Sequence, residues 1–119
     1  MSKTGAVTIY HNPACGTSTK VLARLREAGL EPRVVEYLQT GWTPQQLREL
    51  FARMGVTPRE VLRVRGAPAE ELGLTSRAAT DDGILLAMAE HPILVERPIV
   101  VTPKGARLCR PAERVDELL

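Results

Sequence analysis

The residues best suited to chemistry form one run, His11-Asn12-Pro13-Ala14-Cys15-Gly16-Thr17-Ser18. Cys15 falls where a loop gives way to a helical pattern. The free backbone N–H groups and the dipole of a helix N-terminus favour negative charge there. Both effects favour thiolate over thiol, and cysteines at such positions have pKa values lowered to roughly 3.5–7.5. The same N–H groups form an anion cradle, so one position supplies a nucleophile and an oxyanion site together. Gly16 lets the backbone approach a ligand closely, and the Thr17 and Ser18 hydroxyls can add donors. His11, four residues upstream, is placed to bring an imidazolium near the sulfur. The competing reading is a buried cysteine that merely begins a helix, since free cysteine is among the most buried residue types. The Gly-Thr-Ser that follows and the strand–loop–helix context favour the reactive reading.

The elements that must hold this loop are legible on both sides of it. Ala6 to Tyr10 is short, β-branched and apolar, and reads as a buried strand. After the loop, Val21, Leu22, Leu25 and Ala28 fall on one helical face, and Gly29 supplies the stop. Arg33 to Tyr37 reads as a second strand. Thr43-Pro44-Gln45-Gln46 carries a capping residue, a proline at the first helical position and Gln at the capping-box position. Leu47, Leu50, Phe51 and Met54 continue that helix up to Gly55. Thr57-Pro58-Arg59-Glu60 repeats the device over a short helix through Val61 and Leu62. A further helix begins near Thr80 or Asp81, runs through Ile84, Leu85 and Met88, and stops before Pro92. Ile99 to Thr102, a turn at Pro103-Lys104-Gly105 and a return through Ala106 to Cys109 form a hairpin. Pro111 opens a last helical stretch carrying Val115, Leu118 and Leu119. The order is βαβ, a helical insert over about residues 43–91, a ββ hairpin and a final helix. It predicts an α/β fold, a thioredoxin/glutaredoxin-like mixed sheet with an inserted helical subdomain, in one domain over residues 1–119.

Composition excludes several classes. At 119 residues and 44% hydrophobic content the chain suffices for one compact domain. The polar Met1-Ser2-Lys3-Thr4-Gly5 has no apolar segment behind it that reads as a secretion signal. The longest apolar run, Ile84 to Ala89, falls far short of the ~20 residues of a membrane helix. A cytoplasmic, membrane-free protein is expected. The net charge is +2 and aromatics make up 3%, with acidic and basic residues interleaved, which argues against nucleic acid as a partner. The two cysteines, Cys15 and Cys109, are too few for a disulfide framework or a zinc site, and no metal is expected. Lysine and arginine total 16, of which Lys3, Lys20 and Lys104 are the lysines. The other basic residues are arginines, suited to gripping tetrahedral oxyanions two oxygens at a time.

The His11–Ser18 run closely resembles the active-site loop of the glutaredoxin-coupled arsenate reductases, the ArsC family. The resemblance recurs at Tyr37-Leu38, Met54-Gly55, Leu62-Arg63, Glu70 to Leu74 and Thr80-Asp81-Asp82. It is densest at His91 to Leu94, Arg97-Pro98 through Pro103, and Arg107 to Pro111. Nearly the whole chain is covered, although many relatives run on beyond the last shared motif. The resemblance implies that Cys15 is the nucleophile and that His11 helps keep it ionised. It implies that Arg63, Arg97 and Arg110 bind arsenate and the arsenic intermediates. It implies a cis-proline at Pro98, facing the catalytic loop before the third strand. It also implies glutathione as co-substrate and glutaredoxin as partner, with no bound cofactor and no second protein thiol. A monomer is expected.

Two rivals share the architecture. Spx-type transcriptional regulators, which bind RNA polymerase, typically carry a Cys-x-x-Cys switch. Here the residues three after and three before Cys15 are Ser18 and Asn12, so that switch is missing. A general glutathione-dependent thiol oxidoreductase has less use for three arginines.

Overall fold

The computed structural model describes residues 7–119; the Met1–Gly5 pentapeptide and Ala6, at the head of the expected first strand, lie outside the described residues. The chain divides into two compact units, one of Met1–Thr40 with Arg97–Leu119 and one of Gly41–Glu96.

The first unit holds the sheet. β1 (Thr8–Tyr10) leads through α1 (Gly16–Glu27) to β2 (Arg33–Val35); β3 (Ile99–Thr102) and β4 (Gly105–Leu108) complete a four-stranded sheet of order β2-β1-β3-β4. β1 runs parallel to β2, with Ile9 opposite Val34, and antiparallel to β3, with Ile9 opposite Val100. A parallel pair needs a crossover, and α1 provides it. β3 and β4 form the hairpin, with Ile99 opposite Leu108.

α1 buries Ser18, Val21 and Leu25. It stops in a Schellman motif: the Leu30 N–H bonds the Leu25 carbonyl, the Gly29 N–H bonds the Arg26 carbonyl, and Gly29 takes φ +82°. A 3-10 helix, Ala112–Leu118, follows the hairpin and packs on α1 and β4. Val7, Ile9, Val21, Leu25, Val100, Cys109, Val115 and Leu118 form one apolar core between these elements.

Two differences from the sequence reading have local causes. The strand expected through Tyr37 ends at Val35, because the Glu36 carbonyl accepts the Gln39 and Thr40 N–H groups and opens a one-turn helix, α2 (Tyr37–Thr40). The last helix is 3-10 throughout, tighter than the α-helix its apolar spacing suggests.

In the second unit, α3 (Pro44–Met54) has the full Thr43/Gln46 capping box and ends at Gly55 in the left-handed region. Thr57 and Glu60 make a second capping box on a 3-10 turn, Pro58–Val61. α4 (Asp81–Glu90) starts at Thr80, whose hydroxyl accepts the Gly83 N–H. α3 packs on α4, and Leu47, Leu50, Phe51, Ile84, Leu85 and Met88 are buried. Arg59 ties down the turns between 63 and 80 by donating to the Ser76 and Ala79 carbonyls. Among the described residues no helix is long and apolar enough to cross a membrane, and no cluster of His, Cys, Asp and Glu is built to hold a metal.

Candidate active site

Cys15 is the N-cap residue of α1, with extended backbone (φ −96°, ψ 121°) and a side chain that makes no capping bond. The loop before it is built by Asn12, which is 4% exposed. The Asn12 side-chain oxygen accepts the Ala14 N–H at 3.0 Å, and its carbonyl accepts the Cys15 N–H at 3.0 Å. This Asx-type turn sets where Cys15 enters the helix. The Thr19 N–H and hydroxyl then both bond the Cys15 carbonyl.

Two arginines from the far end of the chain meet the sulfur. Arg110 Nη1 lies 3.6 Å from Cys15 Sγ and donates to the Arg97 carbonyl at 3.1 Å. The Arg97 guanidinium also favours the charged form of the Cys15 sulfur. The Arg97 side chain is buried, yet its Nε and Nη1 have no hydrogen-bond partner. Unmet donors on a buried guanidinium cost free energy until an acceptor arrives. Arg97 and Arg110 each precede a proline through a cis peptide bond, at Pro98 and at Pro111. Only the first had a sequence expectation.

The Cys15 thiol titrates below the ordinary cysteine range. Burial pushes it up, but the Ser18 backbone N–H, hydrogen bonds from Arg97 and Arg110, and the Arg97 charge together outweigh that. Guanidinium donors and the positive end of a twelve-residue helix therefore both favour the thiolate form of Cys15. Such a site can attack an oxyanion centre while its oxygens are held.

Two of the expected site side chains, those of His11 and Ser18, bond one another. The structure places the His11 ring against Ser18. His11 is buried, its Nδ1 lies 2.6 Å from Ser18 Oγ, and its pKa is lowered, with burial outweighing the attraction of Glu36 and Arg26 adding to the lowering. The Ser18 hydroxyl, fully buried, bonds His11 and accepts the Asn12 N–H at 3.1 Å. The Ser18 backbone N–H, in contrast, is among the groups that lower the Cys15 pKa. The sequence carried a signal for the buried hydroxyl, since Ser18, Val21 and Leu25 share one helical face.

Thr17 is half-buried and Gly16 exposed. A Cβ at residue 16 would meet no protein atom, so any need for glycine there comes from a ligand. Arg63 lies in the Gly41–Glu96 unit. Its Nη1 pairs with Glu96 at 3.0 Å and its Nε donates to the Arg65 carbonyl. Cys109 is fully buried in the apolar core, its thiol pushed up to about 12 by burial.

A mixed sheet with a cysteine at the first loop–helix junction, its thiolate favoured by two arginines, defines a thiol-chemistry site on a thioredoxin-like scaffold. Residues 10–118 match the model of the ArsC family, and the chain belongs to that family. It is 56% identical over 113 residues to an arsenate reductase of Synechocystis sp., covering 95% of this chain and 81% of that one. It is 52% identical to the arsenate reductase of Escherichia coli K12, covering 95% of this chain and 80% of the other. The structure of an arsenate reductase from Vibrio cholerae superimposes with a TM-score of 0.90 at 42% identity, over 95% of this chain and 97% of that one.

Proposed function

We propose that this protein is an arsenate reductase, acting through a covalent Cys15–arsenate intermediate. The observation that carries the reading is the buried Arg97 guanidinium, with two unmet donors, beside a cysteine at a helix N-terminus whose thiolate form it favours. That combination asks for a tetrahedral oxyanion whose central atom a thiolate can attack. Family membership and relatives named arsenate reductase support the choice of arsenic.

In this reading the Cys15 thiolate attacks arsenic, forming an S–As bond as one oxygen leaves as water or hydroxide. Arg97 and Arg110 offset the charge on the remaining oxygens, and the family resemblance adds Arg63. Glutathione then attacks the adduct. Arsenic gains two electrons, two thiol sulfurs become a disulfide, and arsenite leaves. A glutaredoxin thiol reduces that disulfide and returns Cys15.

The deciding experiment is NADPH consumption in a mixture of the protein, glutathione, glutaredoxin and glutathione reductase. Consumption that starts on adding arsenate, and disappears in Cys15→Ser, supports the proposal. Equal consumption without arsenate would favour a general glutathione-dependent oxidoreductase.

A further inference from the structure

The Cys15 loop contains a buried polar link with no direct part in gripping an oxyanion. Ser18 Oγ, fully buried one turn into α1, sits between the Asn12 N–H at 3.1 Å and His11 Nδ1 at 2.6 Å. Asn12 in turn receives the Cys15 N–H on its carbonyl and the Ala14 N–H on its side chain. His11 is anchored from the sheet side, where its N–H bonds the Val35 carbonyl. The hydroxyl therefore ties together the end of β1, the loop and the first turn of α1.

We infer that Ser18 is a positioning residue for Cys15: its hydroxyl, bridging the Asn12 N–H and His11 Nδ1, locks the turn that seats Cys15 at the head of α1.

The donor arithmetic of the link fixes the role of His11. Ser18 Oγ is fully buried, its only other bond is the one it accepts from the Asn12 N–H, and His11 Nδ1 is the one acceptor within reach of its hydrogen, so the hydroxyl donates there and the imidazole proton sits on Nε2. The imidazole acts as a neutral acceptor. Burial, the dominant influence on His11, agrees; Glu36 and Arg26, the charged groups that act on the ring, pull in opposite directions. His11 thus supports the nucleophile through Ser18 and not through its own charge, whereas Arg97 and Arg110 act on the sulfur directly.

The inference rests on Cys15 being the reacting thiol, and it is tested without arsenate. The rate of Cys15 alkylation by iodoacetamide, measured from pH 4 to 10, reports the thiolate fraction. Ser18→Ala is expected to shift the profile to higher pH and to slow alkylation at pH 7 by roughly three- to tenfold, the worth of one hydrogen bond. His11→Ala should do the same. The double variant should be no worse than the more severe single one, because both changes cut one link. His11→Asn, neutral but with an amide oxygen near the place of Nδ1, should recover most of what His11→Ala loses.

Additive effects of the two alanine changes, or a His11→Asn variant as slow as His11→Ala, would overturn the inference and return His11 to a charge role. The His11 variants carry the test alone if Ser18→Ala fails to fold. A protein that alkylates as expected but consumes no NADPH with arsenate would sink the functional proposal and leave this inference standing.

Discussion

Reactivity at Cys15 is set by which groups touch the sulfur and which do not. The groups that favour its thiolate are the Ser18 N–H, Arg97 and Arg110, and their combined effect exceeds the opposing effect of burial. A thiol pKa below the ordinary value means that Cys15 is already ionised where a free thiol is not, and reactivity is lost as pH falls through that lowered value. Ultraviolet thiolate absorbance in the wild type should rise at lower pH than in a free thiol, and Cys15→Ser should remove that step and all arsenate turnover. Arg97→Ala and Arg110→Ala should each move the step upward and cost turnover on the order of tenfold or more. Lysine at either place should restore only part, since it keeps charge without the planar fork. Arg63→Ala tests the assignment taken from the family resemblance and should lower turnover. Arg48, exposed and 3.7 Å from Asp82, serves as control, and Arg48→Ala should leave steady-state kinetics alone. Clamp variants indistinguishable from Arg48→Ala would end the assignment.

Among the elements, those that carry the site were legible because their periods are strong. The β-branched run before His11, the 3.6-residue spacing after Cys15 and the hairpin around Gly105 each left one reading. What escaped was decided by neighbours. Tyr37 has a strand former's side chain, yet the Glu36 carbonyl captures two N–H groups and turns the chain into α2. The Ser18 hydroxyl looked like a ligand donor because its residue type suits that job; the register of α1 turned it inward. Arg97 and Arg110 are legible only as a resemblance, since no local pattern announces that residues this distant in the chain meet Cys15. The capping signals, by contrast, translate into energies. Thr43 closes both bonds of its capping box at the head of α3. Thr43→Ala should cost about 1 kcal/mol in denaturant unfolding of the whole chain, within the usual 0.5–2 kcal/mol for a lost N-cap. Thr43→Ser should cost much less, and equal losses in the two variants would show that the hydroxyl is idle.

For the molecule as a whole, the open question is where the second sulfur of the redox step comes from. An internal mechanism has only Cys109 to offer, because the chain has two cysteines. Cys109 follows β4 directly, and its backbone N–H still bonds the Pro98 carbonyl, so strand alternation persists to that point. Its neighbour Arg110 reaches Cys15, which turns Cys109 the opposite way. The structure gives that direction a destination: the apolar core with Val7, Ile9, Val21 and Val115, where the sulfur contacts the Arg107 carbonyl at 3.7 Å. A thiol at a pKa of about 12 is protonated at every physiological pH and is a poor attacker. A disulfide would also need the two Cα atoms within about 7 Å with converging side chains. Cys109→Ser should therefore retain most arsenate-dependent NADPH consumption with glutathione and glutaredoxin. Its cost should appear in stability, about 1–3 kcal/mol for a hydroxyl placed in an apolar core. Omitting glutathione should stop turnover in both proteins, even with thioredoxin and its reductase supplied. Mass spectrometry after one turnover should find glutathione on Cys15. A Cys15–Cys109 disulfide there, with turnover lost in Cys109→Ser, would mean that the core opens during catalysis and that the protein supplies its own resolving thiol.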